Sequence, residues 1–541
     1  MLKNTVFRIL HILLSVFTIQ LVNAQTDTYA IRMAESIMNR NSGVYGSWNY
    51  ETATVLRGFE ELYRVTGDDR FYNYIKSTVD NVVSSSGSIN RYSMSEYNLD
   101  QVKEGSTVLY LYSVTGDQRY RSAAQTLMQQ LNNQPRTNDG GNWHKNKYPN
   151  QMWLDGLYMA QPFNANYGFV FNQSANFDDV VLQLTLMEDH ARDSNSGLLY
   201  HGWDESRSAS WANPSTGTSP VFWARSLGWY AMALVDVLDF IPKQNIAQRD
   251  TILAILNRLV PAVADVQDQA SGVWWQVPDK GGQSGNWLES SSTAMFVYAI
   301  FKAVRNNYID ASYLSVAENG WNGLLNEFVT TSGSNLNLTD TCEGTGVGGS
   351  YSFYIGRAKK TNDPKGLGPF LLAAVEVELS NADINRAPII SKAINDMSLL
   401  LNDPAVQINL NTVFIDPNGD TLSFSHSASS GTDINVSLSG SIMIITPNEI
   451  GSVVHSLTAN DGNGGQAETA FVVNVVGVGD VNSDGDVNII DALMVAQYYV
   501  GLDPANINSA NGDVNCDGSI SILDALAIAQ FYVGLINAFC L

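Results

Sequence analysis

The chain has 541 residues, and its 30 Lys and Arg against 53 Asp and Glu leave a formal net charge of −23. That length exceeds what one core fills, since single cores stop growing near roughly 250–300 residues, so several domains are expected. The charge argues against nucleic acid, whose phosphates demand clustered Lys and Arg.

Residues 1–24 read as a secretory signal. Lys3 and Arg8 precede a mainly apolar run from Ile9 to Val22, and Val22-Asn-Ala24 fits a small-residue cleavage site. His11, Ser15, Thr18 and Gln20 interrupt that short run, which makes it a poor transmembrane span. No other segment is apolar enough over sufficient length to cross a bilayer. A secreted or cell-surface-attached protein is expected.

Residues 25–382 are helical in texture. Thr52-Ala-Thr-Val-Leu-Arg-Gly-Phe-Glu-Glu-Leu-Tyr63 and Gly105-Ser-Thr-Val-Leu-Tyr-Leu-Tyr112 carry apolar residues at three- and four-residue spacing. Val65-Thr-Gly-Asp-Asp-Arg-Phe71 recurs as Val114-Thr-Gly-Asp-Gln-Arg-Tyr120. Gly ending one helix and Asp opening the next describe a short interhelical turn. Hairpins recurring about every 50 residues suggest a closed toroid or a solenoid, and the length suits an all-α (α/α)₆ barrel.

Loops at one rim of a toroid converge on a central pit, where a substrate binds. The densest cluster of reactive side chains is Gly140-Gly-Asn-Trp-His144-Lys-Asn-Lys-Tyr-Pro-Asn-Gln-Met-Trp-Leu-Asp155-Gly-Leu-Tyr-Met159, a loop entering a helix. Leu199-Tyr-His201-Gly-Trp-Asp204 adds a second His beside aromatics. Arg225 and Trp229, four apart in Phe222-Trp-Ala-Arg-Ser-Leu-Gly-Trp229, share a helix face. A guanidinium beside an indole suits a carboxylated sugar, the fork binding the carboxylate and the ring stacking on the pyranose. Eleven Trp and 24 Tyr supply many such rings, although helix packing uses most of them. Taken singly, Asp155 also reads as a helix-start residue satisfying backbone N–H groups, His144 and His201 as structural, and Arg225 with Trp229 as a buried packing pair. Convergence of rare residue types favours a site.

From Asn385-Arg-Ala-Pro388 the texture changes. Residues 385–476 are rich in Val, Ile, Ser and Thr, and Val436 to Ile445 partly alternates as strands do. Asp416-Pro-Asn-Gly-Asp420 and Asn460-Asp-Gly-Asn-Gly-Gly465 signal turns. An immunoglobulin- or cadherin-like β-sandwich is expected, as a spacer or a carbohydrate-binding module.

Residues 478–541 say one thing twice. Asp480 to Leu502 and Asp513 to Leu535 are identical at 15 of 23 aligned positions. Each copy places oxygen ligands at loop positions 1, 3, 5, 9 and 12 around a glycine at 6, then begins an apolar helix, as a Ca²⁺ loop requires. The first loop offers Asp480, Asn482, Asp484, Asp486, Asn488 and Asp491; the second offers Asp513, Asn515, Asp517, Ser519, Ser521 and Asp524. Residues 477–541 hold eight Asp and no Lys or Arg, a repulsion that bound cations relieve. Of the three cysteines, Cys342 stands alone, while Cys516 and Cys540 are expected either paired or free.

The string His144-Lys-x-x-Tyr-Pro-x-Gln-Met-Trp-Leu-Asp-Gly-Leu-Tyr-Met159 resembles the signature of glycoside hydrolase family 105, the unsaturated rhamnogalacturonyl hydrolases. Tyr97-Asn-Leu-Asp100, His201-Gly-Trp-Asp204, Trp223-Ala-Arg225-x-x-Gly-Trp229 and Asn362-Asp-Pro-Lys-Gly-Leu-Gly-Pro-Phe-Leu-Leu-Ala373 extend it in order across residues 30–380. The resemblance implies an (α/α)₆ barrel acting on lyase-generated oligosaccharides that end in a 4,5-unsaturated uronic acid, without a catalytic cofactor. Ordinary glycosidases need two carboxylates flanking the bond. An enol ether needs one acid, so Asp155 is expected to protonate C4 and then activate water. By resemblance Asp100 is its neighbouring carboxylate, His201 and Arg225 contact the sugar, and Trp229 is the stacking platform; His144, Lys145 and Tyr148 are also expected at the substrate. A rim of Trp153 and Tyr158, with a second carboxylate nearby, is expected to raise the Asp155 pKa.

The terminal repeats resemble a type I dockerin, which implies a cohesin-bearing partner. Loop positions 10 and 11 depart from the common hydroxyl residues, being Ile489-Ile490 and Ile522-Leu523. Rhamnogalacturonan is the expected polymer source, with ulvan the alternative. A polysaccharide lyase on the same toroid, served by His144, Lys145 and Tyr148, is the rival chemistry, and a non-catalytic carbohydrate-binding scaffold component is a third reading.

Overall fold

The computed structural model describes residues 28–539, apart from 381–384, 386, 402, 417–418, 429–433, 483, 503, 506, 516 and 537–538. The expected signal at residues 1–24 and the cysteines Cys516 and Cys540 lie outside the described residues. Apart from residues 113–116, the chain divides into two compact units at residues 384 and 385.

The first unit is a helical, barrel-like domain. Its helices are α1 (Tyr29–Arg40), α2 (Tyr50–Thr66), α3 (Asp69–Asp80), α4 (Gly105–Thr115), α5 (Gln118–Asn132), α6 (Leu154–Val170) and α7 (Ala175–Ala191). They continue as α8 (Ala224–Val237), α9 (Ile246–Asp265), α10 (Ser290–Arg305), α11 (Leu314–Phe328), the short α12 (Tyr351–Ile355) and α13 (Pro364–Ser380). Helices α2, α13, α10, α8 and α6 pack side by side in that order. Helix α4 joins them through Gly105 against Phe163 and through Tyr110 under Arg64. Every residue of α8 is buried, as is Ser290–Ala303 of α10. Helices apolar all round belong in a centre. By contrast α5 buries one stripe, including Tyr120, Ala123, Ala124, Leu127 and Leu131, and lies outside.

Two glycines set the approach of α2 and α13. A Cβ on Gly58 would lie 2.6 Å from Leu371 Cβ, and one on Gly368 would lie 2.4 Å from the Thr54 carbonyl. The repeated turn has the expected form. Gly67 and Gly116 adopt φ of 63° and 69°, and the Asp68 and Asp117 carboxylates accept from the backbone N–H of Arg70 and Arg119.

Loops of successive hairpins are joined by a two-stranded antiparallel sheet. Strand β1 (Gln151–Trp153) pairs with β2 (Gly202–Asp204), with Trp153 opposite Gly202. This pairing places the start of α6 against His201, whose carbonyl accepts from Leu154 N–H at 3.1 Å.

The second unit is β-rich and then helical. A four-stranded sheet orders Ser423–Ala428, Gly451–Asn460, Gln466–Val476 and Met397–Leu400; a three-stranded sheet orders Asn435–Ser439, Ile442–Thr446 and Val406–Asn409. Both sheets contribute to one apolar core that includes Met443, Ile445, Val453, Leu457 and Phe471. The terminal helices α14 (Ile489–Tyr499) and α15 (Ile522–Tyr532) pack together over Val481, Val495, Val514 and Ile528. No helix among the described residues is long and apolar enough to cross a membrane.

Candidate active site

Asp155 lies in the first turn of α6, but no side chain caps that helix. The helix-start reading therefore fails, because the carboxylate serves another partner: His201 Nε2 lies 3.0 Å from Asp155 Oδ2. Asp155 is 13% exposed and His201 is fully buried. Burial pushes the Asp155 carboxyl up, yet the neighbouring His201, His144 and Arg225 and the His201 hydrogen bond pull it lower overall, below the ordinary aspartate range. This corrects the expectation of a raised value. The expected rim also differs, since Tyr158 is fully buried.

Asp100 is held elsewhere. Lys145 Nζ donates to its Oδ2, and His144 Nε2 stands 3.5 Å from its Oδ1. Burial pushes His144 down to about 4, leaving it neutral at pH 7. Its ring stacks on Trp153 at 4.2 Å between centroids, and Tyr148 stacks on the same indole at 4.8 Å. Gly156 makes room for His144, because a Cβ there would lie 2.9 Å from Nδ1. Asp100, His144, Lys145, Tyr148, Asp155 and His201 thus form one linked cluster.

Arg225 and Trp229 are corrected. Arg225 is 1% exposed and donates to the carbonyls of Cys342 and Glu343, the latter at 2.7 Å. Its guanidinium stacks 4.6 Å from the Trp223 ring, so it braces residues 342–343 and offers no fork to a uronate. Trp229 is 1% exposed and stacks on Tyr158 at 5.0 Å, leaving no open face for a pyranose. Beneath them Lys103 lies 3.5 Å over Tyr158, and burial pushes its ammonium down to about 7. His201 likewise holds Asp155 instead of reaching outward. Asp204 is structural, accepting from Ser206 and Ala209 N–H groups.

Tyr354 was not singled out in the sequence. Its hydroxyl is 2.8 Å from His201 Nδ1 and accepts from Gly348 N–H at 2.9 Å. Only the glycine-rich Gly346-Val-Gly-Gly349 just before it hinted at a close backbone approach.

Residues 29–380 match Glycosyl Hydrolase Family 88. The chain belongs to that family. The hydrolase is 41% identical to a family 105 glycoside hydrolase from C. acetobutylicum ATCC 824, with a TM-score of 0.63 over 65% of this chain and 99% of that one. It is 32% identical over 231 residues to Protein Atu3128 of Agrobacterium fabrum, covering 40% of this chain and 97% of that protein. It is 25% identical over 292 residues to the unsaturated rhamnogalacturonyl hydrolase YesR of Bacillus subtilis, covering 52% and 79%. The expected resemblance to family 105 holds, and the protein is a glycoside hydrolase of the unsaturated glycuronyl class.

Residues 478–531 match the dockerin type I domain. In each loop the position-12 carboxylate ties both ends. Asp491 Oδ1 accepts from Val481 and Asn482 N–H and its Oδ2 from Asn488 N–H; Asp524 does the same with Val514, Asn515 and Ser521. Gly485 and Gly518 take φ of 95° and 86°, which wraps each loop. Burial, with Asp491 and Asp484 beside it, pushes the Asp480 carboxyl up. Crowded carboxylates with no basic side chain in residues 477–541 fit a bound dication. Ile489, Ile490, Ile522 and Leu523 are about half exposed, free to meet a partner.

Proposed function

We propose that this enzyme removes the 4,5-unsaturated uronic acid from the non-reducing end of lyase-generated oligosaccharides, with Asp155 as the acid. The observation that carries the reading is the asymmetry of the two carboxylates. Asp100 is neutralised by Lys145, whereas Asp155 keeps Oδ1 without a hydrogen bond among the described residues. Two-carboxylate hydrolysis needs both groups on the bond; protonation of an enol ether needs one. Asp155 delivers its proton to C4, the ring oxygen stabilises the cation at C5, and the carboxylate then takes a proton from the water attacking C5. The resulting hydrated sugar opens and releases its partner.

Because Asp155 is held ionised in the free enzyme, protonation must accompany the arrival of an anionic sugar, whose carboxylate adds like charge. Tyr148, half-buried on Trp153, is the better-placed ring for a pyranose than Trp229. His144, Lys145 and Asp100 belong to the same cluster.

The polymer source we favour is rhamnogalacturonan, on the likeness to the unsaturated rhamnogalacturonyl hydrolase of Bacillus subtilis; ulvan is the alternative. We read residues 25–382 as an (α/α)₆ barrel, supported by the alternation of inner and outer helices, residues 385–476 as a β-sandwich spacer, and residues 478–541 as a dockerin with two Ca²⁺ loops. A signal over residues 1–24 would export the chain, and a cohesin-bearing scaffold would hold it. Incubation with lyase products of each polymer, following loss of the enol-ether ultraviolet absorbance, tests the reading. No loss with either would overturn it, and a gain on intact polymer would establish a lyase.

A further inference from the structure

The proposed acid has two oxygens, and only one is useful. Asp155 Oδ2 faces His201 Nε2, so a proton carried there points into the protein, whereas a proton on Oδ1 is free to reach a substrate carbon. Which oxygen carries it depends on which nitrogen of His201 bears hydrogen. With Nε2–H, Oδ2 must accept and the acidic proton belongs on Oδ1. With bare Nε2, the imidazole captures the proton of Oδ2 and directs it away.

We propose that Tyr354 is a positioning residue that sets the His201 tautomer and thereby directs the acidic proton of Asp155 onto Oδ1. The inference rests on the reading of Asp155 as the acid. Three observations carry it. Tyr354 Oη accepts from Gly348 N–H at 2.9 Å and lies 2.8 Å from His201 Nδ1, with no other hydrogen-bond partner among the described residues. Tyr354 is fully buried, which keeps the phenol protonated by pushing its pKa up. Its own proton therefore needs an acceptor. If Nδ1 carried hydrogen, two donors would face the oxygen and the phenol proton would have nowhere to go, a buried unsatisfied donor. Donation to Nδ1 satisfies every group, and Nε2–H then donates to Asp155.

The phenol cannot drift to relax this constraint. The Tyr354 carbonyl accepts from Gln276 Nε2 at 3.0 Å, and that amide also meets Cys342 Sγ at 3.1 Å. Trp223, Val277, Trp287 and Cys342 pack the residue into one buried cluster. The same Cys342 carbonyl receives Arg225, so the buried guanidinium acts by holding the frame around Tyr354.

The test uses the full-length enzyme and Tyr354→Phe, which deletes the hydroxyl and keeps the ring. With only six His in the chain, ¹⁵N labelling of histidine resolves the ring nitrogens of His201 without ligand. The wild type is expected to show bare Nδ1 and protonated Nε2. Tyr354→Phe is expected to populate the opposite tautomer and to lower kcat about 10- to 100-fold, with KM within about threefold, a fraction of the roughly 10⁴-fold cost of a fully inverted tautomer in an acid–base pair. A protonated Nδ1 with bare Nε2 in the wild type overturns the proposal even where the variant fails to fold. So does a folded variant that keeps the wild-type tautomer or a kcat within twofold. If the wild type fails to consume any unsaturated oligosaccharide, the hydrolase reading falls, while the nitrogen signals still report the tautomer.

Discussion

Replacing Asp155 by Asn keeps the shape of the site and removes its transferable proton. The amide oxygen can still accept from His201 Nε2 across the same 3.0 Å, so α6 and the β1–β2 pairing have no reason to shift. General acid–base catalysis supplies about 10²–10⁴-fold, so kcat should fall by that factor, equivalent to about 3–5 kcal/mol at roughly 1.4 kcal/mol per tenfold. KM should stay within about threefold, since recognition falls to the surrounding rings and Lys145. The assay is loss of enol-ether absorbance on lyase-made oligosaccharides, with binding followed by calorimetry. A variant retaining more than about a tenth of wild-type kcat would refute Asp155 as the acid. A variant that lost binding and kept its rate at saturation would refute it equally.

The same substitution has a pH-dependent effect on stability. Asp155 has a folded-state pKa below its ordinary value, so the interactions of its carboxylate, the His201 hydrogen bond among them, stabilise the fold above the ordinary aspartate range and that contribution disappears as pH falls through the lower folded value. Urea unfolding should show Asp155→Asn less stable than wild type at pH 7, with the gap closing as pH falls below the ordinary aspartate range. Trp229→Ala should cost about 3–5 kcal/mol through a cavity beside Tyr158 and leave the folded fraction's substrate affinity unchanged; weakened binding at full stability would restore Trp229 as a sugar platform. Chelating Ca²⁺ should melt residues 478–541, seen by circular dichroism of the full chain, with turnover unchanged. Because the Asp480 carboxyl is pushed up, protons should compete with Ca²⁺ more strongly as pH falls, and affinity that is flat between pH 7 and 4 would contradict this. Ile490→Asp with Leu523→Asp should alter stability by no more than about 0.5 kcal/mol, since both side chains are over half exposed, and should abolish capture by a cohesin that the unaltered chain binds.

Features written into a few consecutive residues were legible without coordinates. The Gly67-Asp68 and Gly116-Asp117 turns, the dockerin loops closed by Asp491 and Asp524, and the change from helical to strand texture near residue 385 all depend on local backbone chemistry. The signature around His144 and Asp155 likewise marked the family. Tertiary structure alone decided what each side chain does there. His201 lies 46 residues from Asp155, Cys342 lies 117 from Arg225 and Tyr354 lies 153 from His201, and no periodicity reports contacts at such separations. Burial and the identity of a hydrogen-bond partner are properties of the packed molecule. They turned Arg225 and Trp229 from sugar contacts into frame, and they lowered the pKa of an acid that its neighbours in sequence were expected to raise.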